Sequence, residues 1–278
     1  MYHHIAPNDS VPRDPSPGEG WNYSHSPAGF ENQLHELRRR GFRFVSLASM
    51  VRKIQETGRE APGSIAITLD DGWIDNYRYA FPVLRGLGVP ATFFVTTAYL
   101  HNGVNDPKRM SLAQLREIQA AGMAVGGHSR SHPNLTKLRL TEAAKEVAGC
   151  KEDLEQALGS RVEVFAYPGG VFNRAVAAVV QDAGYIAACS ILGLGINRPA
   201  SVYWLYRDLL SKGMATLGDW CRLNSWARYV LHFRTERRLR DQLSGFSDLR
   251  RSKGGATRDS TAADGSVPVR GEGDGFEA

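Results

Sequence analysis

The stretch Ser64-Ile65-Ala66-Ile67-Thr68-Leu69-Asp70-Asp71-Gly72 runs from apolar residues straight into two adjacent carboxylates and a glycine. An apolar run of this length, without polar alternation, fits a strand buried on both faces. Such strands belong to parallel sheets covered by helices, and the flanking sequence repeats that arrangement. Downstream come a helix around Asn76 to Leu87, the apolar strand Ala91 to Thr96, a helix over Ser111 to Gly122 and a short strand from Met123 to Ser129. A helix from Thr141 to Leu158, the strand Val162 to Gly170, a helix from Asn173 to Ala183 and the strand Tyr185 to Ser190 continue the rhythm. Tyr203 to Tyr206 reads as one more strand, and Met214 to Phe233 as a closing helix.

Upstream, Phe30, Leu34 and Leu37 recur at helical spacing before Gly41, followed by a short strand at Arg43 to Leu47 and a helix from Ala48 to Thr57. Met1 to Ile5 reads as the end of a strand, which leads us to expect further sequence before it, and a polar, Pro-rich loop then runs to Ser26. The number of βα units favours an α/β barrel, complete or incomplete, over an open three-layer sheet, although periodicity alone allows both. The division expected is one ordered domain over residues 1–235 and a polar tail over 236–278. From Arg251 onward that tail is rich in Gly, Ser, Thr and Asp, a composition that predicts disorder.

A hydrophobic fraction of 42% over 278 residues supports a substantial core. The net charge of +5 is too small to define a polyanion partner, and the runs Arg38 to Arg40 and Arg234 to Arg240 read as solvated ends of helices. No compact basic-aromatic stripe appears, so nucleic-acid binding is not expected. The cysteines Cys150, Cys189 and Cys221 are odd in number and form no CxxC pair, which argues against a disulfide framework. No segment has the length of a transmembrane helix. The opening residues lack the apolar stretch of a secretory leader, so a cytoplasmic location is expected, or an extracytoplasmic one if upstream sequence is missing. Oligomeric state is not legible.

In parallel α/β folds, reactive groups gather where strands end and loops begin. Three strand ends here carry unusual chemistry. Asp70 and Asp71 close the first, and adjacent carboxylates at the mouth of an apolar strand need a cation or hydrogen bonds to compensate them. Successive strand residues point in opposite directions, so one carboxylate can ligate a metal while the other acts as a base. The second is Gly126-Gly127-His128-Ser129-Arg130-Ser131-His132, whose two imidazoles four residues apart can reach one ion. The third, Phe165-Ala166-Tyr167-Pro168-Gly169-Gly170, ends in a turn able to aim backbone N–H groups at a ligand. Alone, each has an ordinary explanation: an Asp-Gly turn, surface histidines, a Pro-Gly turn. Together they supply the two His and one Asp of a catalytic zinc set, with a spare carboxylate beside it.

These segments resemble the polysaccharide deacetylase family, built on the chitooligosaccharide deacetylase homology domain and classed as carbohydrate esterase family 4. Ile67 to Gly72 is similar to its first motif, Gly127 to His132 to its second and Phe165 to Gly170 to its third. The resemblance implies a distorted (β/α) barrel of seven strands and metal-dependent hydrolysis of acetyl groups on glycans. It implies Asp70 as general base, Asp71, His128 and His132 as metal ligands, and the Gly169 N–H as an oxyanion donor. Tyr2-His3-His4 resembles the family's first strand end, which would place His3 on the active-site face. Gly195 to Pro199, followed by Tyr203 to Arg207, resembles a late segment of the branch acting on exopolysaccharides. Trp73 and Tyr167 are candidates to stack on sugar rings, with core packing as the equal alternative, and Arg207 is a candidate either to bind substrate or to orient a carboxylate.

Three positions depart from the family pattern. Ala166 stands where many members have an arginine that orients the catalytic aspartate, and Gly169 stands where a tyrosine is common. No late leucine-x-histidine motif supplies a general acid, and Leu231-His232 reads as part of the closing helix. The expected activity is removal of N-acetyl groups from an acetylated oligosaccharide or polysaccharide. An O-acetyl esterase acting on xylan or a related glycan, and a carbohydrate-binding protein without turnover, are the alternatives. The donor set fits Zn2+, with Co2+ or Ni2+ as substitutes.

Overall fold

The computed structural model describes residues 1–7, 24–101, 107–193 and 195–209. The Pro-rich loop over 8–23, the closing helix with Leu231-His232, the second arginine run, Cys221, the expected limit after residue 235 and the tail all lie outside the described residues.

The decisive apolar stretch forms two strands rather than one. β1 (His4–Ile5) pairs in parallel with β2 (Ser24–His25), and after α1 (Pro27–Arg39), β3 (Arg43–Phe44) pairs with β4 (Ser64–Ile65). Between β3 and β4 lies α2 (Leu47–Thr57), started by the Ser46 side chain on the Ser49 N–H and stopped by Gly58 at φ 78°. β5 (Ile67–Leu69) then begins the main sheet. A π-helical turn at Asn76–Ala80 leads into α3 (Phe81–Gly86), β6 (Ala91–Val95), the short α4 (Ala98–His101), α5 (Leu112–Ala120) and β7 (Ala124–Gly127). α6 (Leu140–Leu158), β8 (Val164–Ala166), α7 (Arg174–Asp182) and β9 (Ala187–Cys189) complete the repeat.

β5 to β9 form a continuous five-stranded parallel sheet in sequential order, curled into an open half-barrel. The seven-stranded barrel expected from the sequence is not closed. Each sheet edge carries a single bridge instead of a strand: Tyr2 beside Leu69, and Leu205 beside Cys189. At one edge the chain leaves Tyr2 to pair as β1 with β2. At the other, Pro199–Trp204 winds into a 3-10 helix, so the strand expected over Tyr203 to Tyr206 shrinks to Leu205.

Both faces of the sheet are covered, which is why its strands read as unbroken apolar runs. Ile67, Leu69, Phe93, Val125 and Phe165 pack on the side of α3, α5, α6 and α7, against Leu84, Leu115, Val147 and Val176. Phe94, Val164, Ala166 and Cys189 face the other way, against Leu47, Val51 and Ile54 of α2 and Val202 and Leu205. Phe93 and Phe94, neighbours on opposite faces, are both fully buried, each stabilising the fold by about 1.5–3 kcal/mol. The paired glycines of β7 follow from this packing. A Cβ on Gly126 would sit 2.5 Å from the Phe94 ring, and one on Gly127 2.4 Å from the Tyr185 hydroxyl. None of the described helices is long and apolar enough to cross a membrane.

Candidate metal centre and active site

The carboxyl ends of β5, β7 and β8 converge, and the loops leaving them carry the candidate residues. Asp70 is tied into the β5 edge by its N–H, which donates to the Tyr2 carbonyl at 3.0 Å. Asp71 turns at φ 72° and Gly72 at φ 69°. This left-handed step, more than strand alternation, sends the two carboxylates to different partners. Ser129 (φ 63°) and His132 (φ 62°) are the other non-glycine residues with positive φ among the described residues. Left-handed backbone costs about 1–2 kcal/mol per L-residue, and all three instances surround one site. Strain concentrated in this way is characteristic of functional centres.

Asp71, His128 and His132 come together with their ligand atoms all within 4.8 Å of one another. Asp71 Oδ1 lies 3.1 Å from His128 Nε2 and 3.4 Å from His132 Nε2. Two ligands sharing a tetrahedral zinc ion at bonds of about 2.0–2.1 Å stand about 3.3 Å apart, so these separations match a common ion. His128 Nδ1 donates to the Ala166 carbonyl at 2.8 Å, which fixes the tautomer and leaves the Nε2 lone pair facing the cluster. Trp73 Nε1 donates to Asp71 Oδ2 at 3.1 Å, leaving Oδ1 as the carboxylate's free ligand atom. Burial opposes ionisation of Asp71, but when the imidazoles of His128 and His132 carry protons on Nε2, as they can without an ion, their hydrogen bonds outweigh it and hold the carboxyl well below its ordinary range. The donor set therefore fits a divalent cation. The side chains of His128 and Asp71 are 2% and 9% exposed, whereas that of His132 is 33% exposed, so the cluster opens on the His132 side.

Asp70 makes a buried, bidentate ion pair. Arg207 NH1 donates to Oδ1 and NH2 to Oδ2, both at 2.7 Å. The same guanidinium donates from Nε to the Ser190 carbonyl at 2.8 Å and from NH1 to Thr68 Oγ1 at 3.3 Å. Burial pushes the Asp70 carboxyl up, but the charge and hydrogen bonds of Arg207 hold it below its usual value. The aspartate is thus ionised and fixed at neutral pH. Of the two readings open for Arg207, substrate contact or orientation of a carboxylate, the geometry matches the second: it lies behind Asp70, on the sheet edge bridged by Leu205. Asp70 is thus held in one orientation by Arg207, with Ala166 in the third-motif position.

The other expected contact residues are placed as follows. His3 is half-buried, its imidazole lowered by burial although the charges of Asp70 and Asp71 oppose the shift. Trp73 is buried, with the His4 ring 4.6 Å from its own and the Arg109 guanidinium 3.4 Å from its ring centre, so its faces are occupied. Tyr167 is fully buried: its ring stacks on Phe172 at 5.0 Å and its hydroxyl donates to the Tyr203 carbonyl at 2.7 Å. A sugar ring cannot reach it in this arrangement. Gly169 is exposed at φ 59° in the turn after β8, between Pro168 and Gly170. Cys150 and Cys189 are buried free thiols, pushed up by burial to about 12 and about 11 respectively. The Ala166 carbonyl as the partner of His128 is not legible in the sequence, because a backbone group carries no residue signature. Nor did it single out Arg109, which lies in no periodic segment.

Residues 57–188 match the family described as polysaccharide deacetylase. The chain carries a polysaccharide deacetylase-like domain. Its alignment with the Bacillus subtilis (strain 168) protein YxkH, a polysaccharide deacetylase by name, is 23% identical over 67% of this chain. The chain spans about 65% of that relative's length. The poly-beta-1,6-N-acetyl-D-glucosamine N-deacetylase of Staphylococcus aureus (strain MRSA252) is 24% identical over 68% of this chain and 69% of its own. The structure of the Streptococcus pyogenes deacetylase PplD in complex with acetate superposes with a TM-score of 0.67 at 25% identity, covering 77% of this chain and 92% of that one. The span matched to the deacetylase family contains Asp70, Asp71, His128 and His132, and it excludes Tyr2, His3 and Arg207.

Proposed function

We propose that this chain removes N-acetyl groups from the amino sugars of an oligosaccharide or polysaccharide in a metal-dependent hydrolysis. The observation that carries this reading is the juxtaposition of an ionised, clamped Asp70 with the adjoining cluster of Asp71, His128 and His132. Similarity to a curated N-deacetylase of a poly-N-acetylglucosamine supports the substrate class.

Asp71 Oδ1 and the two Nε2 atoms would hold the ion, for which the donor set favours zinc. When bound, the ion supplies Lewis acidity to an acyl carbonyl and acidity to a water molecule. Asp70 accepts the proton of the attacking water, since its carboxylate is fixed by Arg207 and adjoins the ligand Asp71. The Gly169 N–H, on the loop after β8, donates to the developing oxyanion, a role that needs a preorganised amide. Arg207 keeps Asp70 in its basic form and in one orientation. That ion pair answers one of the two arguments for a binding protein without turnover, the missing third-motif arginine; the other, the lack of a late leucine-x-histidine motif, stands.

Acetate release by zinc-reconstituted protein from matched N-acetylated and O-acetylated oligosaccharides tests the proposal. Release from the N-acetylated set is expected, and Asp70→Asn should abolish it while zinc content stays near that of the wild type. Release from the O-acetylated set alone would make the protein an esterase. Full activity of Asp70→Asn would remove Asp70 from the base role.

A further inference from the structure

Asp71 occupies the left-handed backbone region, which L-residues rarely adopt although aspartate tolerates it better than most, and contacts from its neighbours help to hold it there. The segment 107–110 does so. Ile74 N–H donates to the Lys108 carbonyl at 2.8 Å and Met110 N–H to the Gly72 carbonyl at 2.9 Å, so Trp73 and Arg109 face each other across an antiparallel bridge. From that position Arg109 NH1 donates to the Asp71 carbonyl at 2.6 Å. Its guanidinium lies 3.4 Å from the centre of the Trp73 ring and 4.5 Å from that of Tyr99. The ring contact continues to the carboxylate, because Trp73 Nε1 bonds Asp71 Oδ2. One assembly thus grips Asp71 at both ends: Arg109 on the main-chain carbonyl, and Trp73 on the side-chain oxygen that faces away from the histidines.

We propose that Arg109, gripped by Trp73 and Tyr99, is a positioning residue that holds Asp71 left-handed and so sets the protein's affinity for its metal ion. The proposal rests on the metal-site reading given above. Arg109 acts through Asp71, and neither the bridge nor the aromatic contacts involve His128 or His132. A planar guanidinium suits the task because it stacks on rings while its edge donates a directed hydrogen bond. A lysine keeps the charge and loses the stacking.

The test is zinc affinity, measured by competition with a chromophoric chelator on metal-free protein. Wild type, Arg109→Ala, Arg109→Lys and Trp73→Phe are compared, together with the thermal midpoint of each in the absence of metal. Loss of an outer support of a metal ligand costs about 10–100-fold in affinity. Arg109→Ala should show a loss in that range, with its metal-free midpoint close to wild type. Arg109→Lys should recover part of it. Trp73→Phe, which keeps an aromatic ring but loses the N–H and the fused five-membered ring, should weaken zinc binding by more than its fall in midpoint accounts for, and it serves if Arg109→Ala does not fold. Wild-type zinc affinity in both Arg109→Ala and Trp73→Phe, or weakened affinity only in proportion to lost thermal stability, would overturn the proposal. Wild-type protein that binds no zinc would overturn the metal-site reading itself.

Discussion

Replacing Arg207 by Met tests the link between fold and chemistry most directly. The substitution keeps much of the side-chain volume but removes the four donations to Asp70, Thr68 and Ser190. It strands a carboxylate that is 2% exposed. Removing one partner of a buried ion pair costs about 3–5 kcal/mol, which a domain with a typical margin of about 5–15 kcal/mol survives. The pH dependence should change sign. In the wild type the Asp70 carboxyl is held below its unfolded value of about 3.9. Its contribution is therefore present above that pH and lost as pH falls through the folded pKa. Without Arg207, burial, the largest influence on Asp70, is opposed only by the weaker charges of His128 and His3, and the folded pKa should rise above the unfolded one. The variant should then lose stability as pH rises from about 4 toward neutrality. Urea unfolding in the presence of a chelator, from pH 4 to 8, reads this directly. Asp70→Asn in the Arg207→Met background should restore stability relative to Arg207→Met alone, because no buried charge is left unpaired. Acetate release should fall by about 10²-fold or more, within the range that a general base contributes. An Arg207→Met protein with wild-type stability, wild-type pH dependence and wild-type turnover would refute the ion-pair argument.

Two further substitutions probe the scaffold. Gly127→Ala would place a methyl group 2.4 Å from the Tyr185 hydroxyl and 3.3 Å from Cys150 Sγ. We expect it to cost about 1–3 kcal/mol in urea unfolding and to weaken zinc binding through the adjoining His128; an unchanged midpoint would show that β7 has room to spare. Tyr167→Phe removes one donation to the Tyr203 carbonyl and should cost about 1 kcal/mol with KM unchanged. A raised KM with unaltered stability would return Tyr167 to the substrate.

The parallel sheet was legible because its strands are buried on both faces and its helices carry caps and left-handed glycines at their ends. The two edges were not. Whether Tyr2 and Leu205 extend as strands or touch the sheet at single residues depends on where β2 and the 3-10 turn at Pro199 draw the chain, and local periodicity does not record that. Within the site, Asp70, Asp71, His128 and His132 stood out as chemically costly residues at strand ends. The pairing of Asp70 with Arg207 links residues 137 positions apart; the segment ending at Arg207 drew notice as a family-like stretch, but nothing local to it names Asp70 as the partner. The separation of the two carboxylates was expected from strand alternation, yet it arises from the left-handed turn at Asp71. Trp73 and Tyr167 were chosen as aromatic rings able to stack on sugars, but ring identity does not tell which partner claims each face.

The Asp70–Arg207 pair also sets the smallest piece of this chain that can work. A fragment cut to residues 57–188 keeps all three metal-ligating side chains and every glycine of the motifs. It would nonetheless lose the guanidinium behind Asp70 and the Tyr2 backbone that pairs with Thr68 and Asp70 along β5. Such a fragment would present a stranded anion beside an uncovered sheet edge. The span matched to the family is therefore narrower than the unit that holds the candidate site together, and excision, fusion or transplantation of this domain should keep both Tyr2 and Arg207 inside its limits.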